Sequence, residues 1–150
     1  MGKVKSILLL LCRLVLAVVF IYAGVQKFLQ PDVFFEEIEA YRLLPNAVVY
    51  FGAYFLPTLE IAVGIGVLFR VTLKWSALLI IALNVVFILA ILLAWMRGLD
   101  IDCGCFGESD ELIANYSIYY AKIIMRDFLF IIMGVTIFFY RNCAIKVYGI

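Results

Sequence analysis

Residues 75–96 read WSALLIIALNVVFILAILLAWM, a run without a charged side chain in which Asn84 is the one strongly polar interior residue. At ~1.5 Å per helical residue the run is long enough to cross the roughly 30 Å hydrocarbon core of a bilayer. Three neighbours share its character. Residues 7–29 are apolar apart from Arg13, Gln26 and Lys27; residues 47–69 contain Pro57 and Glu60; residues 118–140 contain Lys122, Arg126 and Asp127. Four spans of this length use most of a 150-residue chain. The expected fold is therefore all-α: a single integral membrane domain, a four-helix bundle with short connections.

Composition points the same way. The chain is 67% hydrophobic with a mean hydropathy of +1.15, far above the roughly half-apolar make-up of a soluble domain. A net charge of +1 gives no basic face for nucleic acid, and the absence of histidine removes the usual proton shuttle and the commonest zinc ligand. Thiols and carboxylates are left to carry chemistry. The basic start at Lys3 and Lys5, followed by an apolar run, is also how a signal peptide begins. The run is longer than a signal h-region and lacks a small-x-small cleavage site at its end, so a first span is the preferred reading.

Two connections stand out. Residues 30–46 open at Pro31 and close at Pro45, and Phe34, Phe35, Ile38, Tyr41 and Leu44 recur at near-helical spacing, which predicts a short amphipathic helix at the membrane surface. Residues 97–117 are acidic and hold Cys103-Gly104-Cys105. Lys3, Lys5, Arg70, Lys74, Arg141 and Lys146 fall on one side of a four-span arrangement. Positive charge stays cytoplasmic, so both termini are expected inside the cytoplasmic membrane and the Cys-Gly-Cys loop outside.

Gly104 and Gly107 let the backbone turn sharply enough to bring the two sulfurs together. So small a ring strains a disulfide, and a strained, exposed disulfide exchanges readily. Cys103 and Cys105 are thus candidate catalytic thiols for electron transfer. A local structural disulfide and soft-metal capture by the two thiolates are competing readings. The latter ranks below redox, because the loop has no histidine or methionine, and no residue is assigned to a metal. Asp100 and Asp102 disfavour a thiolate and lean toward the disulfide as the resting form. Cys12 and Cys143, near the other ends of the first and last spans, read as small apolar residues.

Charges inside spans are costly, about 2.5 kcal/mol or more on insertion scales, and must face one another or a polar cavity. Depth counting places Glu60 and Arg126-Asp127 toward the middle, Arg13 nearer the inner surface and Lys27 near the outer end of its helix. Glu60 with Arg126 is the expected pairing. Lys27, Glu60, Arg126 and Asp127 are the candidate residues for a membrane pocket that holds a quinone head group or relays protons.

The residues resemble the methylamine-utilisation MauE family, within the wider DoxX-like group of four-helix membrane proteins. The resemblance runs through Arg13-Leu14, Phe20, Ala23-Gly24 and Lys27, then Phe34 and the YRLLP segment from Tyr41 to Pro45. It continues with Leu56-Pro57, Glu60 and Gly64, and is sharpest at Arg97-Gly98 leading into DCGCFG from Asp102 to Gly107. It departs at Asp127, where an asparagine is expected after Arg126. It implies a role in disulfide formation or maturation of exported proteins, with an extracytoplasmic thioredoxin-like partner. Within the family that role concerns the disulfide-rich small subunit of methylamine dehydrogenase, and the DoxX-like relatives are linked to thiosulfate and quinone chemistry. The reading that follows is a membrane thiol-disulfide redox component passing electrons between that partner and a quinone. The alternative is a non-enzymatic maturation factor or transporter for a soft metal or sulfur compound.

Overall fold

The computed structural model describes residues 2–42, 44–99 and 116–148, and the elements formed by these residues are helices. In chain order they are α1 (Gly2–Leu29), α2 (Pro31–Ala40), α3 (Asn46–Gly66), α4 (Leu73–Met96) and α5 (Tyr116–Tyr148). Prolines punctuate the first half. Pro31 occupies the first turn of α2, where its missing N–H is harmless, and its ring discourages α1 from continuing past Leu29. Pro45, in an extended conformation, is the N-cap of α3.

The other ends are set by caps. Gly98 has φ +65°, the left-handed geometry that glycine adopts without a steric penalty. The amide of Leu99 then donates to the carbonyl of Ala94 and that of Gly98 to the carbonyl of Trp95, both at 3.0 Å. This Schellman pattern closes α4. At the far end of the bundle the half-buried Arg13 donates through Nε to the carbonyl of Val67 at 3.1 Å and through Nη2 to that of Leu68 at 2.6 Å. A cation therefore sits on the carbonyls at the end of α3, where the helix dipole favours it.

These caps explain where the boundaries differ from expectation. The third helix of the chain stops at Gly66 rather than at residue 69, because Arg13 and the hydroxyl of Thr72, which donates to the Gly66 carbonyl at 2.6 Å, take up carbonyls past that point. α4 begins at Leu73, two residues before the apolar run. α5 continues past Tyr140 to Tyr148.

The long helices stand in the ring order α1, α3, α4, α5, with α1 and α4 diagonal to one another, as are α3 and α5. The α1–α3 and α4–α5 faces are the broadest. Small residues make the first of these close: a Cβ on Gly24 would lie 2.8 Å from the carbonyl oxygen of Pro57, and one on Gly64 would lie 3.0 Å from the backbone nitrogen of Ile21. The two helices touch backbone to backbone at these points, the close approach through small residues that tightens helix pairs in lipid. Leu16, Ala17, Phe20, Val63, Ile80, Phe130 and Ile137 fill the space between, with the Phe20 and Phe130 rings edge to face at 6.3 Å.

Exposure is inverted relative to a water-soluble protein. Val18, Phe51 and Trp75 are each more than 60% exposed, whereas Lys27, Glu60, Asn84 and Asp127 are at most 4% exposed. Apolar side chains outside and polar ones inside is the arrangement lipid selects. Among the described residues, three helical segments are long and apolar enough to cross a membrane: Ile7–Leu29, Asn46–Gly66 and Leu73–Met96. The exposed Trp75 and Trp95 sit near opposite ends of α4, ~30 Å apart by helical rise, the spacing of two aromatic belts. The all-α membrane bundle expected from the sequence is the fold observed.

Candidate functional site

Lys27, one turn from the end of α1, is the anchor of the polar interior. Its stem runs inward, and Nζ donates to Glu60 Oε1 of α3 at 2.6 Å with both side chains buried. The same ammonium lies 5.1 Å from the centroid of the Phe34 ring of α2 and 5.1 Å from that of Phe87 of α4. Both distances are within cation–π range. Elements α1 to α4 thus converge on one buried charge.

The second pair is local. Arg126 Nε and Nη2 of α5 reach Asp127 Oδ1 at 2.9 and 2.8 Å. Neighbouring helical side chains do not ordinarily face one another, so the guanidinium must fold back along the helix to make this contact. Two donors then converge on a single carboxylate oxygen.

Lys27, Glu60, Arg126 and Asp127, the four residues that sequence reasoning put forward for a membrane pocket, line one cavity together with Asn84, Phe87, Phe20 and Phe130. The pairing differs from expectation. Glu60 bonds Lys27, and Arg126 bonds Asp127; Arg126 acts on Glu60 as a neighbouring charge, as Lys27 does on Asp127. The difference arises from side-chain reach: a four-carbon stem carries the Lys27 ammonium about a turn back along its helix, to the level of Glu60.

The cavity has a volume of about 30 Å³, which is room for one or two water molecules. In this arrangement it does not admit a quinone ring. Among the described residues, the buried side-chain polar atoms left without a partner are both acceptors, Glu60 Oε2 and Asp127 Oδ2. Sequence reasoning missed Phe34 and Phe87 as partners of Lys27. Aromatic residues are so common in this chain that neither could be singled out by type. It also missed the capping role of Arg13, which faces no other member of the cluster.

Cys103 and Cys105 lie outside the described residues, but the base of their loop is defined on both sides. Arg97 Nη1, beside the Gly98 cap, donates to the carbonyl of Tyr41 at 3.2 Å and to that of Arg42 at 3.5 Å. Arg42 itself has φ +50°, a left-handed conformation uncommon outside glycine. On the return side, the hydroxyl of Tyr120 donates to the carbonyl of Leu99 at 2.6 Å. The segment that leads into the Cys-Gly-Cys loop is therefore tied to both the first connection and the start of α5. Cys12 is a half-buried free thiol packed against the apolar core, and the side chain of Cys143 lies outside the described residues.

Residues 5–140 match the family described as Methylamine utilisation protein MauE. A curated relative, the methylamine utilization protein MauE of Paracoccus denitrificans, is 31% identical over 104 residues. The aligned stretch is 69% of this chain and 56% of the relative, so the match spans little more than half of that protein's length. No solved structure matches the chain. A match across nearly the whole sequence, a range that includes the Gly24 and Gly64 contacts, the Lys27–Glu60 pair and the Arg97-Gly98 cap, shows that the chain belongs to the MauE family of methylamine utilisation proteins.

Proposed function

We propose that this protein is a membrane-embedded thiol-disulfide component that assists the maturation of exported proteins, with Cys103 and Cys105 as the exchanging thiols. The observation that carries the reading is the tether at Arg97. It ties the end of α4, from which the Cys-Gly-Cys loop departs, to the first connection, so these two form a joint platform at one end of the bundle. The opposite end carries Arg13, Arg70 and Lys74. With that basic end cytoplasmic, the platform faces outward from the cytoplasmic membrane. α5 serves as the fourth span, running antiparallel to α4 from Tyr120 beside Leu99 to Phe138 beside Lys74.

The exchange balances without a further reactant. A partner's dithiol attacks the Cys103–Cys105 disulfide, a mixed disulfide forms, and the second partner thiol resolves it. The partner leaves oxidised, and the loop keeps two thiols with their protons. A thioredoxin-like protein outside the membrane is the class of partner with suitably low-pKa paired thiols. Continued turnover then requires a two-electron acceptor, for which a membrane quinone is the chemical class. Because a cavity of about 30 Å³ does not fit a quinone ring, no quinone step is assigned to it.

That misfit favours a second reading, in which the ionic cluster only holds the bundle and the loop presents a client, a soft metal or a sulfur compound without redox turnover. A trapping experiment separates the two. In the Cys103→Ser and Cys105→Ser variants, one should accumulate a mixed disulfide with a Cys-X-X-Cys protein on the outer face, visible as a band lost on reduction. Absence of such a band from both variants would sink the thiol-exchange proposal and leave the scaffold reading.

A further inference from the structure

Among the described residues, two buried carboxylate oxygens of the polar interior have no hydrogen-bond partner. Glu60 spends Oε1 on Lys27 and leaves Oε2 unpaired; Asp127 spends Oδ1 on both nitrogens of Arg126 and leaves Oδ2 unpaired. The two residues are 2% and 1% exposed, and they line the same cavity of about 30 Å³. A buried carboxylate oxygen without a donor forfeits the hydrogen bonds that water would give it. Two of them at one polar cavity call for a donor that fits there.

In this arrangement no donor among the described residues reaches either oxygen. From α4 the cavity wall receives Asn84, whose Nδ2 already donates to the Ile80 carbonyl at 2.7 Å, and Phe87; from α1 it receives Val19, Phe20 and Ala23 besides Lys27; from α5 it receives Phe130 besides Arg126 and Asp127. Phe34 of α2 closes the side above Lys27. The charged groups facing the two oxygens are thus Lys27 and Arg126 alone, one from α1 and one from α5.

We propose that the cavity is a water-binding site in which one bound water donates one hydrogen to Glu60 Oε2 and the other to Asp127 Oδ2. Water matches the requirement in size and in stoichiometry: it has two donors for two orphaned acceptors, and although Val19, Phe20, Ala23, Phe87 and Phe130 make half of the wall, the other half is polar side chains that can bind it. The bridge joins α3 to α5, the diagonal helices that do not pack directly on each other. It fuses two separate ion pairs into one network spanning the bundle, Lys27–Glu60–water–Asp127–Arg126. The inference is independent of the thiol chemistry, and failure of one does not touch the other.

The test is water-to-protein polarisation transfer in solid-state NMR, on the full chain in lipid bilayers with ¹³C-labelled glutamate and aspartate. The unaltered protein suffices, so no variant need fold. Magnetisation from water protons should reach the carboxyl carbons of both Glu60 and Asp127. If it reaches neither, or only one of them, the bridging water is absent and the proposal is overturned.

Discussion

Lys27 and Glu60 meet at 2.6 Å inside the bundle, one from near the end of α1 and the other from the C-terminal half of α3, with the rings of Phe34 and Phe87 flanking the ammonium. Both side chains are buried, so each is the other's compensation. Breaking such a pair from one side leaves a bare buried charge.

Lys27→Met should therefore lower stability by about 3–5 kcal/mol, seen as a large drop in the thermal midpoint in detergent. The double variant Lys27→Met with Glu60→Met removes both charges and should recover a large part of the loss. If the double variant is as unstable as the sum of the single ones, the two residues are not energetically coupled.

Gly24 and Gly52 form a matched comparison. An alanine at Gly24 puts its Cβ 2.8 Å from the Pro57 carbonyl oxygen, a backbone atom with little freedom to yield, whereas an alanine at Gly52 meets nothing within 4 Å. Gly24→Ala should cost about 1–3 kcal/mol through overpacking. Gly52→Ala should be neutral or stabilise the helix by up to about 1 kcal/mol. Equal behaviour in thermal unfolding would contradict the close α1–α3 contact.

Arg13 should be replaceable only in part by another cation. Lysine keeps the charge at the end of α3 but cannot reproduce the fork that reaches the carbonyls of Val67 and Leu68. Arg13→Leu should destabilise by up to about 2 kcal/mol and Arg13→Lys by less. Amide exchange at the start of the α3–α4 turn is the local readout, and it should quicken in the same order.

Arg97→Ala removes the tie between the Cys-Gly-Cys loop and the first connection. Helix content should stay unchanged, while amide exchange around residues 38–42 rises several-fold, because this is a surface contact and not part of the core. Unchanged exchange there would show that the two connections hold their positions independently.

Much of this arrangement is legible in the sequence, and the reasons are physical. A charge within an apolar run is conspicuous, so Glu60, Arg126 and Asp127 could be put in the interior from composition alone, and Lys27 joined them by its position in the MauE-like pattern. Their partners were not legible. Depth counted along a helix axis locates a Cα atom, and the Lys27 ammonium lies several ångströms from its own, while Arg126 doubles back to its neighbour. Gly24 and Gly64 belong to the recognisable pattern, yet nothing in their spacing tells that each faces backbone of the other's helix. Arg13 read as a membrane charge in need of a counter-ion, because a bond to carbonyls at the end of a helix fifty residues away has no sequence signature. The end of α3 moved for the same reason.

The most direct test of the account is the redox state of Cys103 and Cys105, read by thiol trapping in native membranes. The pair should be isolated oxidised, become alkylatable after exposure to a reduced thioredoxin-like protein, and return to the oxidised form when a quinone analogue is added, with the cycle lost in Cys103→Ser. A pair that is alkylated from the outset and stays so with quinone and air present would contradict the thiol-exchange function.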